Sequence, residues 1–160
     1  MTGLRVRRAR HGDAPAIVDM SRALADWLGN KTPAIDEAAV LKNCFGRERW
    51  ANCLIATVDG AVVGYAIVCP TFEGHIGRRQ IYMSDLFVQP EARKTGAGRA
   101  LLAAVARHAV ANDCLAVTWE LWNQNVLGRQ VYERMGCVVL EDVNSMRLEG
   151  KALAAMAGGD

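Results

Sequence analysis

No stretch of this 160-residue chain approaches the ~18 consecutive apolar residues that a membrane-spanning helix requires. No charged start followed by an apolar core reads as a secretory signal, so membrane is not an expected partner and a cytoplasmic protein is the expectation. An excess of one charge is lacking too: 19 Lys and Arg stand against 17 Asp and Glu, a net charge of +2. Arg5, Arg7, Arg8 and Arg10 do cluster, but they alternate with Leu4 and Val6 as a first strand with one solvated face would. Without a recognition motif beside them, nucleic acid is not expected as a partner. Cysteine pairs are missing as well. Cys44, Cys53, Cys69, Cys114 and Cys137 are odd in number, dispersed and without C-x-x-C spacing, which fits reduced core thiols. His11, His75 and His108 show no ligand-like spacing with them, so no metal site is expected.

What is present reads as one domain. A chain of this length buries about 70% of the surface its unfolded form exposes, enough for a single sizeable core. The expected domain covers residues 1 to 153, with an Ala- and Gly-rich tail from 154 to 160 that frays. A strand is expected over 4 to 9 and a helix over 13 to 28, with Asp13 as N-cap and Pro15 in its first turn. A second helix is expected over 36 to 45. Strands at 53 to 58 and 62 to 68 flank Asp59-Gly60, a strong hairpin signal. After a glycine-containing stretch from 70 to 79 come a strand, a helix, a strand over 114 to 121, a helix over 125 to 135 and two short strands.

The most informative stretch is Val88 to Leu102. Residues 81 to 88 are rich in β-branched and aromatic types and stop before Pro90, so they read as a strand buried on both faces. From Gly98 onward Leu101, Leu102, Val105 and Ala109 repeat with helical spacing. The turn between them therefore lies at a helix N-terminus, where backbone N–H groups lack intrahelical partners and the helix dipole favours an anion. Gly96 and Gly98 remove Cβ atoms that would hold a phosphate off the backbone, and Arg93, Lys94 and Arg99 add positive charge. The spacing is neither that of a nucleotide P-loop nor that of a dinucleotide fingerprint. Downstream, Asn125 to Cys137 reads as a short helix closed by Gly136, followed by another apolar strand.

The run Arg93-x-x-Gly96-x-Gly98 resembles the acetyl-CoA pyrophosphate motif of the GNAT superfamily of N-acetyltransferases. Asn125, followed by Tyr132 and Gly136, resembles that family's second signature. Over roughly residues 76 to 153 the chain is similar to the diamine (spermidine/spermine-type) branch, through Tyr82 to Val88, Trp122-Asn123 and Met146 to Leu153. One departure concerns chemistry. Ser84-Asp85 stands where that branch usually has Glu-Asp, so the glutamate credited there with activating the amine is absent.

The resemblance implies an α/β (α+β) GNAT fold: a mixed sheet of about seven strands with a splayed parallel pair, flanked by about four helices. It implies acetyl-CoA as cosubstrate, a small-molecule amine as acceptor and a homodimer. It assigns acetyl-CoA binding to Leu86, Phe87 and Val88 on the strand, to Arg93, Lys94, Thr95, Gly96, Ala97, Gly98 and Arg99 in the turn, and to Asn125, Gly128 and Tyr132. It also implies a backbone N–H near Phe87 or Val88, at a strand bulge, as the oxyanion donor. Tyr132 is the expected general acid. Asp85, Glu120 and a water held by Ser84 remain open as the base, and alternation puts Ser84 and Asp85 on opposite faces. Trp27, Ser84, Glu120 and Trp122 are candidate substrate contacts, the tryptophans serving equally well as core or dimer contacts. A protein N-terminal or lysine acetyltransferase and a non-catalytic acetyl-CoA-binding module are the alternatives.

Overall fold

A computed structural model describes residues 3–158. The chain divides into two compact units, Met1–Glu120 and Leu121–Asp160.

The first unit is built on one sheet of five strands in sequential order: β1 (Arg5–Arg8), β2 (Asn52–Val58), β3 (Ala61–Glu73), β4 (Arg78–Val88) and β5 (Cys114–Thr118). Pairing is antiparallel from β1 to β4 and parallel between β4 and β5. The β2–β3 turn falls at Asp59-Gly60, both with positive φ (50° and 88°), which is the backbone that made this dipeptide a hairpin signal. β3 runs further than its alternation suggests, through Pro70 to Glu73. β2 ends opposite Val68, so Pro70 lies where one edge of β3 has no ladder to lose.

Two apolar layers cover the sheet. On one face α3 (Ala97–Ala111) buries Ala97, Leu101, Val105 and Ala109, an i, i+4 stripe, against Leu54, Ala56, Ala66, Val68, Ile81 and Met83. On the other, α1 (Ala14–Trp27) buries Ile17, Val18 and Met20 with α2 (Glu37–Val40) and Cys44 against Cys53, Ile55, Tyr65 and Phe87. α2 continues into one π-helical turn, Leu41–Phe45, so the helix expected over 36 to 45 is present in two geometries. Asp13 occupies the N-cap position of α1 but does not cap it. Its carboxylate instead accepts the Arg10 N–H at 2.6 Å and two bonds from the Arg7 guanidinium at 2.6 and 2.8 Å. Arg7 is thus an ion-pair partner rather than part of a solvated face, and it holds the Asp13 carboxyl below the usual range.

Strict alternation fails in β4. Val68 pairs with Met83 and Ile67 with Asp85, leaving Ser84 as the extra residue of a bulge. Ile81 and Met83 join the α3 layer ahead of it, whereas after it Leu86 and Val88 do so and Phe87 joins the α1 layer. The opposite-face assignment of Ser84 and Asp85 therefore does not hold, and the bulge lies at Ser84 rather than near Phe87 or Val88. The β4–β5 ladder spans only Arg79–Tyr82 of β4, which runs on to Val88 without β5.

The second unit holds α4 (Val126–Arg134) and α5 (Gly150–Met156). α5 gives five α-helices among the described residues against about four expected, and it occupies part of the stretch expected to fray; residues 159 and 160 lie outside the described residues. The two strands expected after α4 are absent among the described residues, so the sheet has five strands rather than about seven. Cys137 to Leu148 contains β-branched residues, but Val138 and Met146 are 81% and 89% exposed. Such propensity expresses itself only on a paired, half-buried surface.

All five cysteines are free, with Cys44 and Cys53 buried. No described helix is long and apolar enough to cross a membrane.

Candidate active site

In the first unit the end of β4 and the start of α3 meet at Val88. Its carbonyl accepts a bond from Arg93 Nε at 3.3 Å, and its Cγ2 lies 3.7 Å from the place a Cβ on Gly98 would occupy. The connecting chain makes a 3-10 turn at Pro90–Ala92, and Thr95 donates its hydroxyl to the Ala92 carbonyl at 2.7 Å. Lys94 and Gly96 both have positive φ, 69° and 91°. Gly96 is needed for that conformation and is the N-cap of α3; with no side chain it leaves the Ala97, Gly98 and Arg99 N–H groups without a side-chain cap. Gly98 is different. It has no positive φ, and a methyl there would make only an ordinary contact with Val88. Its bareness meets no need of the fold and suits a ligand approaching the helix terminus. Arg93, Lys94 and Arg99 are exposed around this point. Exposed N–H groups at a helix N-terminus, with cations around them, are the arrangement that favours an anion.

The strand leading there carries two unlike side chains. Ser84 is exposed, and its hydroxyl reaches the Ile67 carbonyl at 3.5 Å. Asp85 is partly buried, and burial pushes its carboxyl above the usual range. Its charge in turn acts on Tyr65, Cys44, Cys53 and Cys69, which places it on the α1 side of the sheet. Leu86 is partly buried and Phe87 buried. The Phe87 carbonyl points at β3, coming within 2.7 Å of the position of a Cβ on Gly64. In a planar trans peptide the following N–H points the opposite way, so the Val88 N–H is directed away from β3. A lone glycine interrupting a β-branched run is the only sequence sign of Gly64. Trp27 is the last residue of α1 and 49% exposed, and Glu120 is exposed two residues beyond the end of β5. β5 ends at Thr118 rather than at 121, so no ladder fixes the side to which Glu120 turns.

The second unit places its residues by backbone capping. Asn125 is the N-cap of α4, its side-chain oxygen accepting the Gly128 N–H at 2.9 Å. A Cβ on Gly128 would lie 2.5 Å from the Asn125 amide, so the room expected there for a ligand is taken by this cap. The helix ends in a Schellman arrangement: Gly136, φ 87°, donates to the Glu133 carbonyl at 3.0 Å and Cys137 to that of Tyr132 at 3.1 Å. Tyr132 is partly buried, and burial followed by the Cys137 charge pushes its hydroxyl up. At neutral pH it is a proton donor. Trp122 precedes the helix, half exposed, and its carbonyl accepts the Asn125 N–H at 2.8 Å.

No group of three or more His, Cys, Asp or Glu among the described residues is arranged to hold a metal. The chain matches the Acetyltransferase (GNAT) family over residues 20–137. It is 28% identical to a thialysine N-epsilon-acetyltransferase of Sus scrofa over 99% of each chain. It is 33% identical over 98 residues to an L-ornithine N5-acetyltransferase of Arabidopsis thaliana, covering 61% of this chain and 43% of that one. Among solved structures, an integron cassette protein from the mobile metagenome of V. cholerae superposes with a TM-score of 0.79 at 22% identity, over 96% of this chain and 97% of that one. With a family match over about three quarters of its length and these likenesses, the chain belongs to the GNAT acetyltransferase family and is an N-acetyltransferase.

Proposed function

We propose that the protein moves an acetyl group from acetyl-CoA to a primary amine at the end of a short alkyl chain, by direct attack within a ternary complex. The observation that carries this reading is the uncapped N-terminus of α3, where Gly98 is bare without structural need and Val88 turns its N–H away from β3 alongside. The Ala97, Gly98 and Arg99 N–H groups would hold the pyrophosphate, with Arg93, Lys94, Thr95 and Arg99 around it and Leu86, Phe87 and Val88 lining the strand. Acetyl-CoA supplies the thioester. Val88 N–H would meet the charge that develops on the carbonyl oxygen, a contribution of about 2.7–4 kcal/mol for one such donor.

A free alkyl ammonium, pKa ~10.4, is neutral in fewer than about one molecule in a thousand at pH 7, so the site must take a proton. Asp85 is the favoured base over exposed Glu120, because a carboxylate pushed up by burial accepts a proton more readily. A water held by Ser84 is the relay in reserve. Tyr132, kept protonated, would give its proton to the departing thiolate, and Asn125 with Gly128 would fix the start of the helix that carries it. Trp27, Ser84, Glu120 and Trp122 are the proposed amine contacts. The relatives named for thialysine and ornithine support a terminal amine of that size. A cytoplasmic homodimer completes the reading.

The test is mass spectrometry of acetyl-CoA with thialysine, ornithine, polyamines, aminoglycosides and short peptides, beside Tyr132→Phe. A gain of one acetyl group on a small alkyl amine, lost in the variant, is expected. Acetylated peptides alone would replace the substrate class, and acetyl-CoA binding without any product would point to a regulatory module. Asp85→Asn is expected to cut turnover while raising stability at pH 8, because a carboxyl whose folded pKa is raised destabilises the fold above that pKa and the loss is relieved as pH falls.

A further inference from the structure

Gly64 lies on β3 opposite Val88. A Cβ added there would stand 2.7 Å from the Phe87 carbonyl oxygen, 3.2 Å from Val88 Cγ2 and 3.3 Å from Leu101 Cδ1. The first distance is too short for any real Cβ, and it involves backbone, which cannot swing aside as a side chain does. The carbonyl concerned belongs to the same rigid peptide plane as the Val88 N–H, with the two groups on opposite edges. Pushing one tilts the other.

Other features tie this contact to orientation. Gly64 follows a register shift in which Ala56 pairs with Gly64 and Thr57 with Val62, so Val63 is an extra residue in β3. The Val63 carbonyl accepts the Gln89 N–H at 2.9 Å, which fastens the far side of Val88. β3 therefore meets two successive peptides here, with bare backbone at Gly64 against Phe87–Val88 and a hydrogen bond to the Val63 carbonyl from the Val88–Gln89 peptide that follows. Gly64 has no positive φ, so its need for glycine comes from this approach and not from its own conformation.

We infer that Gly64 is a positioning residue for acetyl transfer: its missing side chain sets the tilt of the Phe87–Val88 peptide and so aims the Val88 N–H at the thioester oxygen. The inference rests on the role proposed above for that N–H. It separates two tasks on neighbouring elements, since the pyrophosphate contacts belong to the turn before α3 and the aim of the Val88 N–H to β3 beneath it.

Gly64→Ala tests it through three readouts: turnover of the best amine from the panel, acetyl-CoA affinity, and the amide NMR shift of Val88 on adding acetyl-CoA. We expect kcat to fall at least about tenfold, since small misplacements of a catalytic donor are costly. Acetyl-CoA affinity should stay within about threefold, and the ligand-induced Val88 shift should shrink. Gly12→Ala, where an added Cβ meets nothing within 4 Å, is the control expected to behave as wild type. Should Gly64→Ala not fold, Gly64→Ala with Leu101→Val clears the Leu101 contact, keeps the carbonyl contact and carries the same expectation. Unchanged kcat, or kcat and acetyl-CoA affinity falling together, overturns the inference. A wild-type protein that turns over no amine, or whose Val88 amide ignores bound acetyl-CoA, would overturn the role of the N–H itself, and the inference with it.

Discussion

The two units hold their proposed site residues in place by different means. In Met1–Glu120 every buried apolar residue belongs to a layer on one face of the sheet, and the turn before α3 hangs between a packed strand and a packed helix. In Leu121–Asp160 no residue of either helix is buried, and Tyr132 sits on a short helix whose ends are fixed by Asn125 and Gly136. Dispersion and burial spread positional control over many neighbours, whereas a cap concentrates it in one hydrogen bond. Substitutions should therefore divide by mechanism as well as by size.

Leu101→Ala strikes the packed side of this contrast hardest. Leu101 is fully buried between α3 and the sheet, so a loss of about 2–5 kcal/mol is expected in chemical denaturation. A loss below about 1 kcal/mol would mean that α3 is not held by this layer. Asp13→Asn should cost less, about 1.5–3 kcal/mol, the range for hydrogen bonds to a charged group. Its folded pKa is lowered, so the stabilisation is present above the unfolded value near 3.8 and is lost as pH falls through the folded value. Unfolding curves between pH 2 and 6 should show the stability difference between wild type and variant shrinking at the acid end. The smallest effect belongs to the capped side. Asn125→Ala should cost about 1 kcal/mol, seen as faster amide exchange at the start of α4 with little change in global unfolding. A global loss as large as that of Leu101→Ala would erase the distinction between the units.

Legibility in the sequence followed the same division. The strand, turn and helix from 81 to 111 could be read because burial on both faces, a proline stop and an i, i+4 stripe are local patterns with one structural solution. Gly136 was readable for the same reason, since a positive φ at a helix end is a local demand. The bulge at Ser84 was not, because alternation is assumed unbroken until a partner strand shows two residues facing one. Nor was the fate of residues 137 to 149, whose β-branched content describes a strand that finds no ladder among the described residues. Gly98 announced itself by spacing, whereas Gly64 depends on a carbonyl of a strand brought alongside by the β3–β4 hairpin.

By itself the sequence determined the strand, glycine-bearing turn and helix from 81 to 111, the glycine stop of the Tyr132 helix and the likeness to the family, because each rests on residues a few positions apart whose backbone requirements are intrinsic. Only the tertiary structure decided that Asp85 is partly buried with its carboxyl raised, that Arg7 is tied to Asp13, and that Val88 turns its N–H away from β3 over Gly64. Those depend on which strand lies against which and in what register, and strand pairing is decided by the whole sheet at once.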